Sequence, residues 1–206
     1  RLDLATLRAR RPLSFRLNAG LTPSSNLNAG SGGADLMIDG IHYVGPISST
    51  GQQLAGWRAD LSGELLWRLH SSATAQTELG FSLAANHHWL SAASQAKVDN
   101  DPMLAGRGRF TGTDLDEVAL EARLRHSFAV AGVKAPVQVE LAVGQTWYGT
   151  EKGGTSLALS GVLPLASSET GRLGLVVQAR KQWHDRGAPS EAFGLRLVGD
   201  RRLGPG

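Results

Sequence analysis

From Trp57 to Leu69 the chain alternates without interruption. Trp57, Ala59, Leu61, Gly63, Leu65, Trp67 and Leu69 fall on one face, and Arg58, Asp60, Ser62, Glu64, Leu66 and Arg68 on the other. A period of two is the signature of a β-strand with two unlike faces. At about 3.3 Å per residue and a tilt of about 40°, this strand rises about 33 Å, whereas strands of soluble sandwiches cluster near about five or six residues. Trp57 and Trp67 share the apolar face ten positions apart, the spacing of aromatic girdles at the two edges of a hydrocarbon band.

The pattern recurs along the chain. Ala73 to Trp89 places Leu79, Phe81, Leu83 and Trp89 opposite Glu78, Ser82 and His88; Asp116 to Phe128 places Val118, Leu120 and Leu124 opposite Glu117, Glu121, Arg123 and Arg125. Pro136 to Tyr148 (Val139, Leu141, Val143 and Trp147 opposite Gln138 and Glu140), Ser156 to Leu165 and Arg172 to Trp183 (Leu173, Leu175 and Val177 opposite Gln178, Arg180 and Gln182) follow it. Ser14 to Leu21 and Glu191 to Gly199, with Arg196, bring the total to eight strands. Short connections (His70 to Ser72, Ala129 to Ala135, Ala166 to Gly171) alternate with Thr22 to Gln53, Ser91 to Leu115, Gly149 to Thr155 and His184 to Ser190. Both very long connections then lie at one rim, where Trp89, Trp147 and Trp183 also gather, as in an up-and-down antiparallel transmembrane β-barrel. Inside the first long connection, Leu36 to Tyr43 carries an Asp39-Gly40 turn and reads as a small hairpin.

Composition narrows the class. The 26 glycines lack a G-X-Y period and prolines number only 8, which excludes collagen and Pro-rich linkers. With Cys at 0, thiol nucleophiles, disulfides and cysteine zinc sites are excluded. A net charge of +3 over 206 residues is too dilute for a nucleic-acid partner. The chain has no run of about 18 apolar residues, so no transmembrane helix is expected. Leu2, Leu4 and Leu7 among Arg8, Arg10 and Arg11, stopped by Pro12, predict that residues 1–12 end a preceding helical region and that 13–206 form the barrel.

Few residues invite chemistry. His87 and His88 are adjacent on a strand, point to opposite faces and cannot chelate one metal from it. His88, Glu78 and Ser82 share a face, but Glu78 is ten residues from His88, so no triad forms on that strand. No catalytic residue, metal or cofactor is therefore expected. Gly30-Ser31-Gly32-Gly33 lacks the Lys of a phosphate loop and reads as a flexible link. Arg58, Asp60, Glu64, Arg68, Glu121, Arg123, Glu140 and Arg180 are candidates to line a lumen, either as an ion or solute path or as mutually neutralising fill.

Ser25-Asn26-Leu27-Asn28-Ala29 follows the first strand, and Asn at alternate positions can bind backbone groups in a turn. With the helical tail, the Ser14 to Leu21 strand, the long loop with its hairpin, Ser49-Thr50-Gly51 and the aromatic rim, the arrangement resembles the barrel domain of the surface lipoprotein assembly modifiers of Gram-negative bacteria. The resemblance implies an outer-membrane location, a periplasmic tetratricopeptide-repeat domain ahead of the barrel, outer-membrane lipid and a client lipoprotein as partners, and protein transport to the cell surface without an enzymatic step. It carries Asn26 and Asn28 over as loop-shaping motif residues. Eight strands are fewer than that family's barrel holds, and Leu203-Gly204-Pro205-Gly206 lacks a closing aromatic, so a larger barrel truncated at its C-terminus is expected. A passive channel, an outer-membrane lipid hydrolase or acyltransferase using His88, and a soluble lipocalin-like barrel are the alternatives.

Overall fold

The computed structural model describes residues 12–32, 35–38, 41–44, 47–133, 135–167, 171–185 and 187–201. The helical reading of residues 1–11 and the terminal Leu203 to Gly206 lie outside these. Eight long strands form one antiparallel sheet: β1 (Leu13–Ser24), β4 (Gly56–Ser71), β5 (Ala75–Leu90), β6 (Glu117–Phe128), β7 (Val137–Tyr148), β8 (Glu151–Ser167), β9 (Gly171–His184) and β10 (Ser190–Arg201). They stand in that order, each hydrogen-bonded to the strand before and after it in the series, so the topology is up-and-down. Among the described residues β1 and β10 do not pair, and the sheet is open. The short strands β2 (Asp35–Ile38) and β3 (Ile41–Val44) pair with each other as the expected hairpin in the first long connection.

The register places like on like. Leu65 stands between Phe15 and Phe81, Leu61 between Ala19 and Ala85, and Leu141 between Leu124 and Leu159. Directly opposite residues share a face, so the apolar rows of all eight strands join into one surface. That surface has no protein cover: Phe15 is 80% exposed, Phe193 71%, Leu159 52% and Trp57 49%. Buried apolar side chains, by contrast, are few among the described residues: Leu54, Val98 and Ala142. Leu54 and Val98 belong to the connections, so among the described residues the two larger buried apolar side chains pack in the connections and only Ala142 is buried on the sheet.

Two departures from the sequence reading have local reasons. Only Gly149 and Thr150 separate β7 from β8, a tight turn in which Gly149 takes φ 56°, a left-handed conformation suited to glycine. The expected loop from Gly149 to Thr155 is therefore replaced by strand. Its Glu151-Lys152-Gly153-Gly154 start lacks alternation because the register shifts by a bulge opposite Thr146 and Trp147. The second long connection, read as loop, contains α1 (Ala92–Asp99), capped by Ser91, whose hydroxyl accepts from the Ser94 amide at 3.1 Å.

Candidate functional site

The face opposite the apolar one carries the charges, and on β4 to β7 they are organised by a gap. Gly80 on β5 stands opposite both Leu66 on β4 and Arg123 on β6. A Cβ there would lie 2.7 Å from Arg123 Nε and 2.8 Å from its Cγ, so the Arg123 side chain crosses β5 through space that only glycine leaves. It thereby reaches Glu64, two strands away, and donates to its carboxylate, with Glu121 at 4.0 Å on the other side. Arg125 repeats the motif one step along: it holds Glu140 through Nε at 2.9 Å and Nη2 at 2.7 Å, and Glu78 lies 4.0 Å from its Nη1. Nearer the loops, Arg58 and Asp60 pair at 2.6 Å, while Arg68 stands opposite Glu78 at the far end of β4. Arg180, on β9, reaches only Ser156 Oγ, at 3.4 Å.

All eight lumen candidates thus lie on one face, but they divide. Glu64, Glu121, Arg123 and Glu140 join a network centred on β6. Arg180 lies outside it.

The five tryptophans sit on the opposite, apolar surface. Trp57 faces Trp89 directly across β4 and β5, Trp147 ends β7, and Trp183 ends β9 with Lys181 Nζ 5.6 Å from its ring centre. These four mark the loop rim. Trp67, opposite Leu13 and Leu79, lies toward the other end. Ten residues between Trp57 and Trp67 correspond to about 33 Å along the strand. Polar groups within this surface are internally satisfied: Gln145 donates to Gly154 O and accepts from Thr155 Oγ1, each at 2.7 Å, and Thr77 and His126 pair at 2.9 Å.

Asn26 and Asn28 act where the sequence places them, in the turn after β1. Asn26 spans the turn by donating to Gly30 O at 3.0 Å and accepting from Gly30 N at 2.8 Å. Asn28 reaches across to the far end of the same connection. It donates to Thr50 O and Gln52 O, both at 2.7 Å, and accepts from Leu54 N at 3.0 Å. Gly30 to Gly32 is consequently no flexible link: Ser31 N donates to Gly51 O at 2.8 Å, and Gln53 N donates to Ser31 O at 3.1 Å. These bonds correct the flexible reading for residues 30–32, and Gly33 lies outside the described residues.

The second long connection locks onto the first. Ala55 N donates to Ser94 Oγ on α1 at 2.8 Å, and Ser49 N donates to Asp101 at 2.5 Å. Leu54, with 0% exposure, lies within this double layer. The Ser49 bond holds the Asp101 carboxyl below the usual carboxylate range, and the Arg109 guanidinium, 2.9 Å away, does the same for Asp99.

His87 and His88 do point to opposite faces, yet sequence reasoning misses what joins them. Asp116, just before β6, lies 2.5 Å from His87 Nδ1 and 3.3 Å from His88 Nδ1, and accepts from the His88 amide at 2.8 Å. His87 also meets Trp89 edge to face, with ring centres 4.4 Å apart. Only the antiparallel register of β5 and β6 brings residue 116 beside 87, so no spacing rule reveals it. Among the described residues no group of His, Cys, Asp and Glu could hold a metal ion.

The molecule is thus an open, two-faced, up-and-down antiparallel sheet with a folded cap over one end of β1 to β6. No protein-family model matches the chain, and no curated protein or solved structure matches it either.

Proposed function

We propose that this sheet is part of an outer-membrane β-barrel whose apolar surface meets lipid and whose charged surface lines the interior. The observation that supports the reading is the predominantly apolar, uncovered surface that runs across all eight strands. Large apolar side chains from every one of the eight strands stand exposed on it, which is more than the single patch a soluble monomer shows, and tryptophans stand near its ends. A soluble lipocalin-like barrel would place its larger apolar side chains inward, away from water.

Within that reading, the resemblance to surface lipoprotein assembly modifiers supports a role in moving lipoproteins to the cell surface, in a Gram-negative outer membrane and without an enzymatic step. The Asn26 and Asn28 turn that carries the resemblance builds the cap, and the cap and the interior are where a client lipoprotein would be met.

Two experiments test the levels separately. Leu61, 39% exposed and midway along β4, should lose about 2–4 kcal/mol on Leu61→Arg if it faces lipid, while Ser62→Arg on the interior should lose far less. Equal losses, read by urea titration in vesicles, would sink the membrane reading. For transport, the full-length protein is co-expressed with a candidate lipoprotein in a Gram-negative host, and intact cells are treated with protease. Surface exposure that disappears on deletion supports the role; a correctly inserted barrel that changes nothing refutes it.

A further inference from the structure

The charged surface is not evenly neutralised. On β4 to β7 the carboxylates of Glu64, Glu78, Glu121 and Glu140 each lie within 4.0 Å of Arg123 or Arg125. On β8 to β10 the same surface presents Arg180 and Arg196 with hydrogen-bond donors around them, among them Gln178, Gln182 and Ser156. Neither arginine has a carboxylate within ion-pair distance among the described residues. Arg180 makes its one long contact with Ser156, and Arg196, opposite Val176, is exposed. On the other edge strand, Arg16 stands opposite Glu64, whose carboxylate is already held by Arg123. The acidic residues of this surface outside the network gather at or near the loop rim: Asp60 pairs with Arg58, and Glu117 and Glu151 begin β6 and β8. In the register, Asp200 on β10 faces Arg172 on β9 at the opposite end.

From this segregation we infer that the β8 to β10 side of the interior is an anion-attracting strip, which favours passage or binding of small anionic solutes such as chloride, phosphate and carboxylates. The inference rests on the barrel reading and extends it. Arg180 lies opposite Ala192 and Arg196 is four residues further along β10, so the two guanidinium-bearing positions are about 13 Å apart along the strands. That spacing suits successive contacts with a small anion better than one closed site. Fixed charges on one wall of a water-filled path select permeant ions by sign. Net charge alone does not show this, because the β4 to β7 side sets six carboxylates (Asp60, Glu64, Glu78, Glu117, Glu121 and Glu140) against four arginines (Arg58, Arg68, Arg123 and Arg125), which hides the basic excess of the other side.

The test is the reversal potential of the full chain in planar bilayers of uncharged lipid under a potassium chloride gradient. Wild type should favour chloride over potassium. The Arg180→Gln/Arg196→Gln variant should lower that permeability ratio about two- to fivefold, since a unit charge at about 4 Å in water is equivalent to about fivefold before screening by salt. An Arg125→Gln/Glu140→Gln variant, which removes one charge of each sign from the same surface, should leave the ratio unchanged. Cation preference in wild type, a ratio insensitive to the arginine variant, or an inserted chain without conductance would each overturn the anion strip while leaving the barrel intact. A chain that washes off vesicles with carbonate would overturn the barrel reading, and the strip with it.

Discussion

Gly80→Val separates the intrinsic preference of a strand from the demands of this one. By propensity, replacing a mid-strand glycine with a β-branched residue should stabilise by up to about 1 kcal/mol. The structure reverses the sign. The new Cβ would stand 2.7 Å from Arg123 Nε and 3.2 Å from Leu66 Cδ2, which closes the passage to Glu64. Arg123 and Glu64 side chains are 19% and 30% exposed, so separating them should cost more than the roughly 0.2–1 kcal/mol of an exposed pair and less than the roughly 3–5 kcal/mol of a buried one. Set against the propensity gain, a net loss of about 1–2 kcal/mol follows. The assay is urea unfolding in phospholipid vesicles followed by tryptophan fluorescence, in the wild type and in an Arg123→Ala background, which removes both the guanidinium and the Cγ that the new Cβ would meet. With Arg123 gone the passage is idle, and Gly80→Val should become neutral or stabilising. A stable Gly80→Val single variant, or an equal loss in both backgrounds, would refute the reasoning.

Other consequences concern the cap. Asn28→Ala removes three bonds and should weaken the cap locally by about 2–4 kcal/mol, so limited proteolysis between residues 25 and 55 should accelerate while the strands stay protected. Leu54→Ala empties a fully buried site and should cost about 2–5 kcal/mol, visible as faster amide exchange in α1 without loss of the sheet. Asp99 and Asp101 have folded-state affinities for protons below those of the unfolded chain. Their contribution to the cap is therefore complete at neutral pH and fades as pH falls below about 4, toward their lowered values. Proteolysis of the cap by an acid-active protease should show this loss, and Asp101→Asn should flatten it.

The sheet was legible in the sequence because a strand with one apolar and one polar face writes its period into every second residue. Trp57 to Leu69 and Val118 to Phe128 needed no other information. Where that period lapses, so did the reading. Glu151 to Gly154 belong to β8 but carry two glycines and a bulge, and α1 is too short and too polar to show an apolar stripe. The aromatic rim was legible from Trp89, Trp147 and Trp183 because strand direction alone fixes it. The Arg123 to Glu64 contact was not, because it depends on what Gly80 lacks, nor was Asp116 between two histidines. Both are products of register, which a single strand does not encode.

The cap is also one-sided. Connections of many residues rise over β1 to β6, whereas β7 and β8 meet in a two-residue turn and β9 and β10 are joined by residues 185–189. The loop rim is thus folded over one half of the sheet and bare over the other. On the barrel reading, a solute or chain arriving from that side would meet folded connections beside β1 to β6 and only short turns beside β7 to β10. Arg180 and Arg196 stand on the strands joined by those short turns, so on the anion-strip proposal entry and electrostatic selection would fall on the same side of the molecule.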